Sequence, residues 1–370
     1  MKYPQHNPLP LPASGPTESV RSTLDTIFDW RYALEQQNLL ALYEKGKTLA
    51  WNASDLDWST PVDLEKMMSD RATPQSAELF AQMLKPPRKL EPREQVEFNI
   101  HMNAWMLSQF LHGEQGALVA TAKIVQAAPT EEAKWYAANQ VADEARHVEV
   151  YHRYLTEKLG VSYPVNVHLQ SLLEQIISDS RWDMTYLGMQ IMVEGLALAA
   201  FGLMKLQLPD EPLIQDITSR IMGDEARHVA FGVLSLESFY TKELTSSELR
   251  EREDFVIEAT HLMRDRLLMN QVYERLGWDV QVWVKWANET PFMQGFRQML
   301  FSKIVPNLKR LGLLTPRVRA EYAKIGLLHF EGLADSTIDP EPIAPAELIS
   351  LLSKLREASE PAGLAGTARA

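Results

Sequence analysis

The hexapeptide Asp-Glu-Ala-Arg-His-Val occurs twice in this chain, at residues 143–148 and again at residues 224–229. In each copy a glutamate precedes a histidine by three positions, and residues at i and i+3 lie on the same face of an α-helix. A repeated Glu-x-x-His pair therefore predicts two helices that present the same two ligand types to one place. The pairs are Glu144 with His147 and Glu225 with His228.

Each copy is preceded by a lone glutamate in an apolar stretch, Glu114 in the first case and Glu194 in the second. Glu114 lies 14 residues before Ala128, and Glu144 lies 14 residues after Thr130. With a helical turn between Ala128 and Thr130, both carboxylates are about 21 Å from that turn and level with each other. The second copy repeats the spacing with 15 residues on each side of its turn. This duplication predicts two antiparallel helical hairpins related by a pseudo-twofold axis.

Four glutamates and two histidines at one level of a helical bundle are the ligands of a dinuclear carboxylate centre. Buried carboxylates are costly unless they are paired or bound to metal, and two divalent cations would balance their charge. Oxygen-rich ligands with one nitrogen per metal suit iron or manganese better than structural zinc. The alternative, two Glu-x-x-His pairs on helix surfaces, does not explain the matched partners. We assign Glu114 and His147 to one metal, Glu194 and His228 to the other, and Glu144 and Glu225 as bridges.

Composition narrows the class of protein. The chain has no cysteine, which excludes disulfides, thiolate zinc sites and iron–sulfur clusters. Its formal charge of −12 argues against a nucleic-acid partner. No secretory signal follows the N-terminus, and the apolar run at residues 195–204 is too short to cross a membrane. We therefore expect a cytoplasmic protein with no membrane contact.

The predicted organisation is one all-α domain with flanking segments. Residues 1–20 form a Pro-rich arm, residues 21–330 a single helical domain with its metal-binding core at 94–240, and residues 331–370 an extension with a short helix and a flexible tail. Glu131 and Glu132 after Thr130 mark a helix start, and Gly160 marks a helix end. Helices are predicted at residues 21–49, 94–127, 130–159, 167–208 with a break near 179, 209–240, 246–272, 291–311 and 317–327.

Residues 101–240 resemble the ferritin-like di-iron carboxylate superfamily, and the Asp-Glu-x-Arg-His motif is most similar to hydroxylase subunits of soluble bacterial multicomponent monooxygenases. The resemblance implies a ferritin-like four-helix bundle with additional outer helices, two iron ions or a manganese–iron pair, and O₂ as co-substrate. It also implies that each Asp accepts a hydrogen bond from a ligand histidine across the twofold and that each Arg holds its Asp. The alternative is an ordinary surface ion pair within each helix. The residues concerned are Asp143, Arg146, Asp224 and Arg227.

The chain also departs from the individual subfamilies. Leu198 occupies the position of a threonine in the hydroxylases, Ile221 that of an extra histidine in aryl-amine N-oxygenases, and Asp143 that of a glutamate in acyl-carrier desaturases. Tyr151, four residues after His147, matches the radical tyrosine in the small subunit of ribonucleotide reductase, although a core aromatic residue is the simpler interpretation.

Residues one turn from the ligands predict a mostly apolar substrate pocket, with core packing as the alternative. They are Phe110, Leu118, Gln190, Gly195, Leu198, Ile221 and Phe231. Trp51 and Trp58 are candidates for an electron route, with core packing again the alternative.

The ligand set, the resemblance and the apolar residues around the ligands favour an O₂-dependent di-iron monooxygenase that hydroxylates or N-oxygenates an apolar or aromatic small molecule. The alternatives are a di-iron desaturase, or a non-catalytic metal-binding, ferroxidase or radical-storing protein. Such an oxygenase needs an external electron donor, a ferredoxin or flavin reductase. Because dimers are frequent among the resembling proteins, a homodimer is expected.

Overall fold

A computed structural model describes residues 18–71 and 84–338, and these residues form helices and connecting loops without a strand. The predicted all-α class is therefore confirmed. The Pro-rich arm up to residue 17, and the predicted short C-terminal helix and tail beyond residue 338, lie outside the described residues. In chain order the α-helices are α1 (Gln37–Thr48), α2 (Leu64–Arg71), α3 (Pro92–Ala127), α4 (Glu131–Arg153), α5 (Val167–Ser178), α6 (Trp182–Tyr186), α7 (Glu194–Gln207), α8 (Pro212–Lys242), α9 (Ser246–Asp265), α10 (Asn270–Arg275), α11 (Val280–Glu289), α12 (Pro291–Met299), α13 (Ile304–Arg310) and α14 (Pro316–Lys324).

Two antiparallel hairpins form the central bundle. Helices α3 and α4 make the first, and α6 to α7 with α8 make the second. One glutamate each from α3 and α7, and one Glu-x-x-His pair each from α4 and α8, reach a common centre. That is the arrangement of a ferritin-like carboxylate bundle, so the predicted fold is confirmed. Helices α9 to α14 pack outside this bundle.

Local signals set the ends of the bundle helices. The Thr130 hydroxyl accepts the Ala133 N–H and caps α4, which satisfies one of the free donors at a helix start. The helical run ends at Gly160, whose φ of +63° is a conformation that glycine adopts without strain. The Glu211 carboxylate caps α8 through two backbone N–H groups. These caps fix where each hairpin turns, and hence the height of the ligands above the turn.

The helix that carries Glu194 is interrupted. The predicted break near Asp179 is present between α5 and α6, and a π-helical segment, Leu187–Val193, then leads directly into Glu194. Short π-helical segments are frequent at functional sites because they re-aim side chains. Here the π-helical segment packs tightly on α8: a Cβ at Gly232 would lie 2.6 Å from the Cβ of Gln190.

The helix predicted at residues 21–49 is wrong in its first part. Only Gln37–Thr48 is helical, while the described residues before it are irregular and include a turn at residues 30–31. The Ile27 N–H donates to the Gln126 carbonyl, and the aromatic side chains at Phe28 and Trp30 are 66% and 72% exposed. Val20, Leu24, Ile27 and Leu34 keep helical spacing, which explains the wrong prediction. Contacts with distant helices hold the segment in a non-helical course instead.

The sequence analysis did not predict α11, and it joined outer helices that are separate in the structure. Residues 246–272 contain α9, a 3₁₀ turn and α10, and residues 291–311 contain α12 and α13. The signal for α11 was available, since Asp279 caps the helix through the Val282 N–H and Trp283 and Trp286 are buried at i and i+3.

One helical stretch among the described residues, Trp182–Gln207, is long and apolar enough to cross a membrane, and 94% of its most apolar window is buried inside the protein. This is the pattern of a core helix in a soluble bundle.

The Gly232 contact gives a test of the packing. Gly232→Ala should destabilise the protein by about 1–3 kcal/mol, since the added methyl group meets side-chain atoms close to the backbone of the π-helical segment. Gly223→Ala on the same helix meets nothing within 4 Å and should stabilise the protein by up to about 1 kcal/mol through helix propensity. Urea unfolding of both variants measures this difference, and equal stabilities would contradict the packing described here.

Candidate metal centre

The six predicted ligands converge in the middle of the bundle. All of them are buried, with exposed fractions between 0% and 5%. Ligand atoms of Glu114, Glu144, His147 and Glu225 lie within 4.8 Å of one another, and those of Glu144, Glu194 and His228 form a second group within the same limit. Glu144 belongs to both groups, as a bridging carboxylate must.

Both histidines turn the same nitrogen towards the carboxylates. The Nδ1 atom of His147 is 3.4 Å from Glu144 Oε2 and 3.2 Å from Glu225 Oε1. The Nδ1 atom of His228 is 3.1 Å from Glu144 Oε1 and 3.6 Å from Glu225 Oε1. The carboxylates of Glu144 and Glu225 therefore each lie within 3.6 Å of both imidazoles, and their role as bridges stays a prediction.

Several of these atoms are close together without being hydrogen-bonded. His228 Nδ1, both Glu225 oxygens, and one oxygen each of Glu144 and Glu194 are buried without a hydrogen-bond partner. Buried polar atoms normally have partners, and atoms that face a common point without bonding to each other fit the ligand shell of a cation. The donor set of four carboxylates and two imidazoles fits two divalent transition ions.

The pKa values of the clustered glutamates also fit a site for cations. Burial, with Glu225 adding repulsion, raises the pKa of Glu114 well above its usual value, and burial with the charges of Glu225 and Glu144 does the same for Glu194. Burial would also raise the pKa of Glu144, but the two histidines outweigh it and lower that pKa. Cations bound at this point would favour the ionised forms of Glu114 and Glu194.

The predicted supporting residues make contacts across the twofold. His147 Nε2 is 3.1 Å from Asp224 Oδ2, and His228 Nε2 is 3.2 Å from Asp143 Oδ2. Arg227 and Arg146 in turn pair with Asp224 and Asp143, respectively. An Nε2–H donated to an aspartate leaves Nδ1 as the free lone pair facing the cluster. The alternative of surface ion pairs does not fit, since both aspartates are at most 2% exposed.

Trp51 extends one of these hydrogen-bonded chains. Its indole Nε1–H donates to Asp224 Oδ2 at 2.7 Å, and its ring lies near that of His147 with 6.3 Å between centroids. The guanidinium groups of Arg146 and Arg220 lie 5.5 Å and 5.6 Å from the indole ring. Trp58 is not part of this chain, because its Nε1–H donates to the Ala53 carbonyl and its ring packs against Arg153.

Gln140 is a site residue that the sequence analysis missed. Its Nε2 donates to Glu144 Oε1 at 3.0 Å and to Glu194 Oε1 at 2.9 Å, and the residue is fully buried. One neutral amide thus joins a bridging and a terminal carboxylate on different hairpins. The signal was present, since Gln140 lies one helical turn before Glu144 on the inner face of α4.

The predicted pocket residues do not form one surface. Phe110 packs with Tyr151 and Phe201, whereas Phe231 packs with Tyr136 and Tyr186. Leu118 is half-buried, and the others are buried. Besides Phe110 and Phe231, the buried residues of this predicted pocket are Gln190, Gly195, Leu198 and Ile221. A surface cavity beside Tyr43 and Trp135 and another beside Arg297 are both lined by other residues. The pocket therefore stays a prediction.

Tyr151 lies beside the cluster, as its spacing predicted. It is 1% exposed, its hydroxyl group has no hydrogen-bond partner, and burial together with the charge of Glu114 raises its pKa well above the usual value.

No family model matches the chain, and no curated protein matches it in sequence. Among solved structures it is similar to the dimanganese(II) protein NrdF of Streptococcus sanguinis, with 14% identity, a TM-score of 0.49, and coverage of 80% of this chain and 98% of that one. It is also similar to R2-like ligand-binding oxidases with a Mn/Fe cofactor. One is a variant at 15% identity and a TM-score of 0.41, covering 74% of this chain and 92% of that one. Another has 14% identity and a TM-score of 0.39, covering 86% and 91%. At these values the likenesses carry no argument about activity, and the site stands on its own geometry.

Gln140 gives a test of the site. Gln140→Met keeps the shape of the side chain but removes both hydrogen bonds, so the affinity of the second metal, at Glu194 and His228, should fall by about 10-fold to 100-fold. Calorimetric titration with Mn²⁺ measures the two affinities separately.

The matched control is Gln109→Met, which also removes a buried amide but one bonded to the Pro164 carbonyl and the Asn166 N–H. It should lower stability and leave both metal affinities unchanged. Equal metal affinities in the wild type and Gln140→Met would remove Gln140 from the site.

Proposed function

We propose that this protein is a non-haem di-iron oxygenase that uses O₂ to hydroxylate or N-oxygenate an apolar or aromatic small molecule, with a manganese–iron pair as the alternative metal content. The observation that carries the proposal is the buried cluster of six ligands with two carboxylates between both histidines. When bound, two iron ions in this site would supply the electrons with which O₂ is reduced.

The protein's own part begins with positioning. Asp143 and Asp224 hold the two imidazoles by their Nε2–H groups, each from the opposite hairpin. Gln140 keeps Glu144 and Glu194 at a fixed separation. Ligands held in this way do not need to rearrange when metals bind, which is how outer hydrogen bonds raise affinity and fix geometry.

The surroundings of the cluster favour an apolar substrate. Phe110, Tyr151 and Phe201 form an aromatic wall on the side of Glu114 and His147, and all three are at most 4% exposed. Such a wall keeps water away from the reacting atoms and binds apolar or aromatic groups by dispersion and burial. It offers no charged group to a polar substrate.

The reaction also requires electrons from outside the protein. Inserting one oxygen atom from O₂ into a C–H or N–H bond consumes two electrons and two protons and releases one water. The hydrogen-bonded chain from Trp51 through Asp224 to His147 leads from the flank of the bundle to the cluster. We expect an external donor, a ferredoxin or a flavin reductase, to deliver electrons along it.

The test of the proposal is oxygen consumption by the reduced, iron-loaded protein with a panel of aromatic, amine and fatty acyl compounds. At least one compound should accelerate O₂ uptake and appear as a product that carries labelled oxygen from O₂. Glu144→Ala should lose this activity and should hold fewer than two metals per chain, because both metal groups share that carboxylate. If no compound is oxygenated although two metals are bound, the proposal is wrong; a dehydrogenated product without labelled oxygen would indicate a desaturase.

A radical-storing role is the second candidate, and the buried, unpartnered hydroxyl of Tyr151 favours it. In that case the iron-loaded protein exposed to O₂ should show a stable tyrosyl signal by electron spin resonance. The signal should disappear in Tyr151→Phe and persist in Tyr154→Phe, whose hydroxyl is hydrogen-bonded to Glu211 instead. A signal that survives Tyr151→Phe would exclude this role for Tyr151.

A further inference from the structure

The outer helices enclose a second polar site that is separate from the metal centre. A cavity of about 420 Å³ lies between the end of α11, α12 and the end of α14. The ligands of the metal centre come from α3, α4, α7 and α8, so no residue is shared between the two sites. The residues that matter for the argument are Arg264, Asn288, Glu289, Arg297, Gln298 and Lys324.

Arg297 is the unusual residue of this cavity. It is 4% exposed, and its Nη2 donates to the backbone carbonyl and the side-chain oxygen of Asn288 at 3.0 Å and 3.2 Å. Its Nε and Nη1 atoms are buried and have no hydrogen-bond partner. A guanidinium has five N–H donors, so three of them face no acceptor.

No ion pair among the described residues includes Arg297. The nearest cation, Arg264, pairs with Asp265, and Lys324 at the opposite wall pairs with Glu321. Burial, with a smaller contribution from Arg264, lowers the pKa of Arg297 to about 10. The charge of Asp265 acts against this lowering without outweighing it, and no carboxylate among the described residues lies within ion-pair distance of the buried guanidinium.

We propose that this cavity binds a small-molecule oxyanion, a carboxylate or a phosphate group, on Arg297. Guanidinium groups bind planar or tetrahedral oxyanions through two parallel hydrogen bonds, and the free donors of Arg297 supply them. Arg264 and Lys324 also line the cavity, each paired with a carboxylate that does not line it, and Glu289 is the one acidic residue of the lining. Gln298, whose Nε2 already donates to the Ile325 carbonyl, fixes the opposite wall.

The size of the cavity sets the class of ligand. About 420 Å³ lies within the range of cavities that hold small organic molecules and exceeds the volume of inorganic phosphate. Phe301 and Leu327 add apolar surface beside the charged groups. The ligand is therefore a small organic anion with an apolar portion, and inorganic phosphate and acetate are its simplest probes.

The experiment is a calorimetric titration of the full-length, metal-loaded protein with inorganic phosphate and with acetate, against chloride at equal ionic strength. At least one oxyanion should bind with a Kd of about 1 mM or tighter. Arg297→Met should weaken the binding of this oxyanion by about tenfold or more, because the buried donors are lost. Lys324→Gln, at an exposed side chain, should weaken it by about threefold.

Arg317→Gln is the control, since Arg317 lies outside the cavity and pairs with Glu253 and Asp254. It should bind the oxyanion like the wild type. Should Arg297→Met not fold, the double variant Arg264→Gln with Lys324→Gln decides the question by a loss of binding of about tenfold. The proposal is overturned if neither oxyanion binds better than chloride, or if the variants of the cavity bind as well as Arg317→Gln. Neither result depends on the activity of the metal centre.

Discussion

Four carboxylates converge at one buried point in this protein, and their mutual repulsion is the constraint on which the rest of the fold depends. Isolated ionised carboxylates in a protein interior are strongly destabilising. Here the pKa of Glu114 and of Glu194 is raised by burial and by the neighbouring carboxylates, which shows that charge remains uncompensated by the chain's own groups. Two divalent cations bound at this point would remove that repulsion, and metal binding would then be coupled to the stability of the central bundle.

The two hairpins are joined by reciprocal hydrogen bonds at the same level. Asp143 on α4 accepts from His228 on α8, while Asp224 on α8 accepts from His147 on α4. Gln140 adds a third connection, between the glutamates of α4 and α7. The geometry of the centre thus depends on the relative position of the two hairpins, and a shift of one hairpin would move ligands and their supports together. This explains why the Asp and the Arg of the motif, and not only its ligands, occur twice.

Much of this centre was predictable from the sequence because helical geometry is regular. The distances from Glu114 and Glu144 to a common turn place both at one height, and the caps at Thr130 and Gly160 confirm where the helix that carries Glu144 starts and ends. The irregular course of the residues before α1 was not predictable in this way. It is held by single contacts such as the Gln36 N–H to the buried carboxylate of Glu132, 96 residues away, and no local pattern encodes such a contact.

The predicted substrate pocket shows what helical spacing alone cannot predict. A residue one turn from a ligand lies either above or below the cluster, and the spacing alone assigns both positions to one pocket. In the structure Phe110 lies with Tyr151 on one side, and Phe231 lies with Tyr136 on the other. The second side also contains buried polar atoms without partners, among them the hydroxyl of Tyr136 and the side-chain oxygens of Gln140 and Gln190. Unpartnered polar atoms in an interior favour ordered water, and the hydroxyl of Tyr151 places one such atom on the aromatic side as well. The two sides of the centre therefore differ in which side chains they present and in how many unpartnered polar atoms they contain, and helical spacing does not encode this difference.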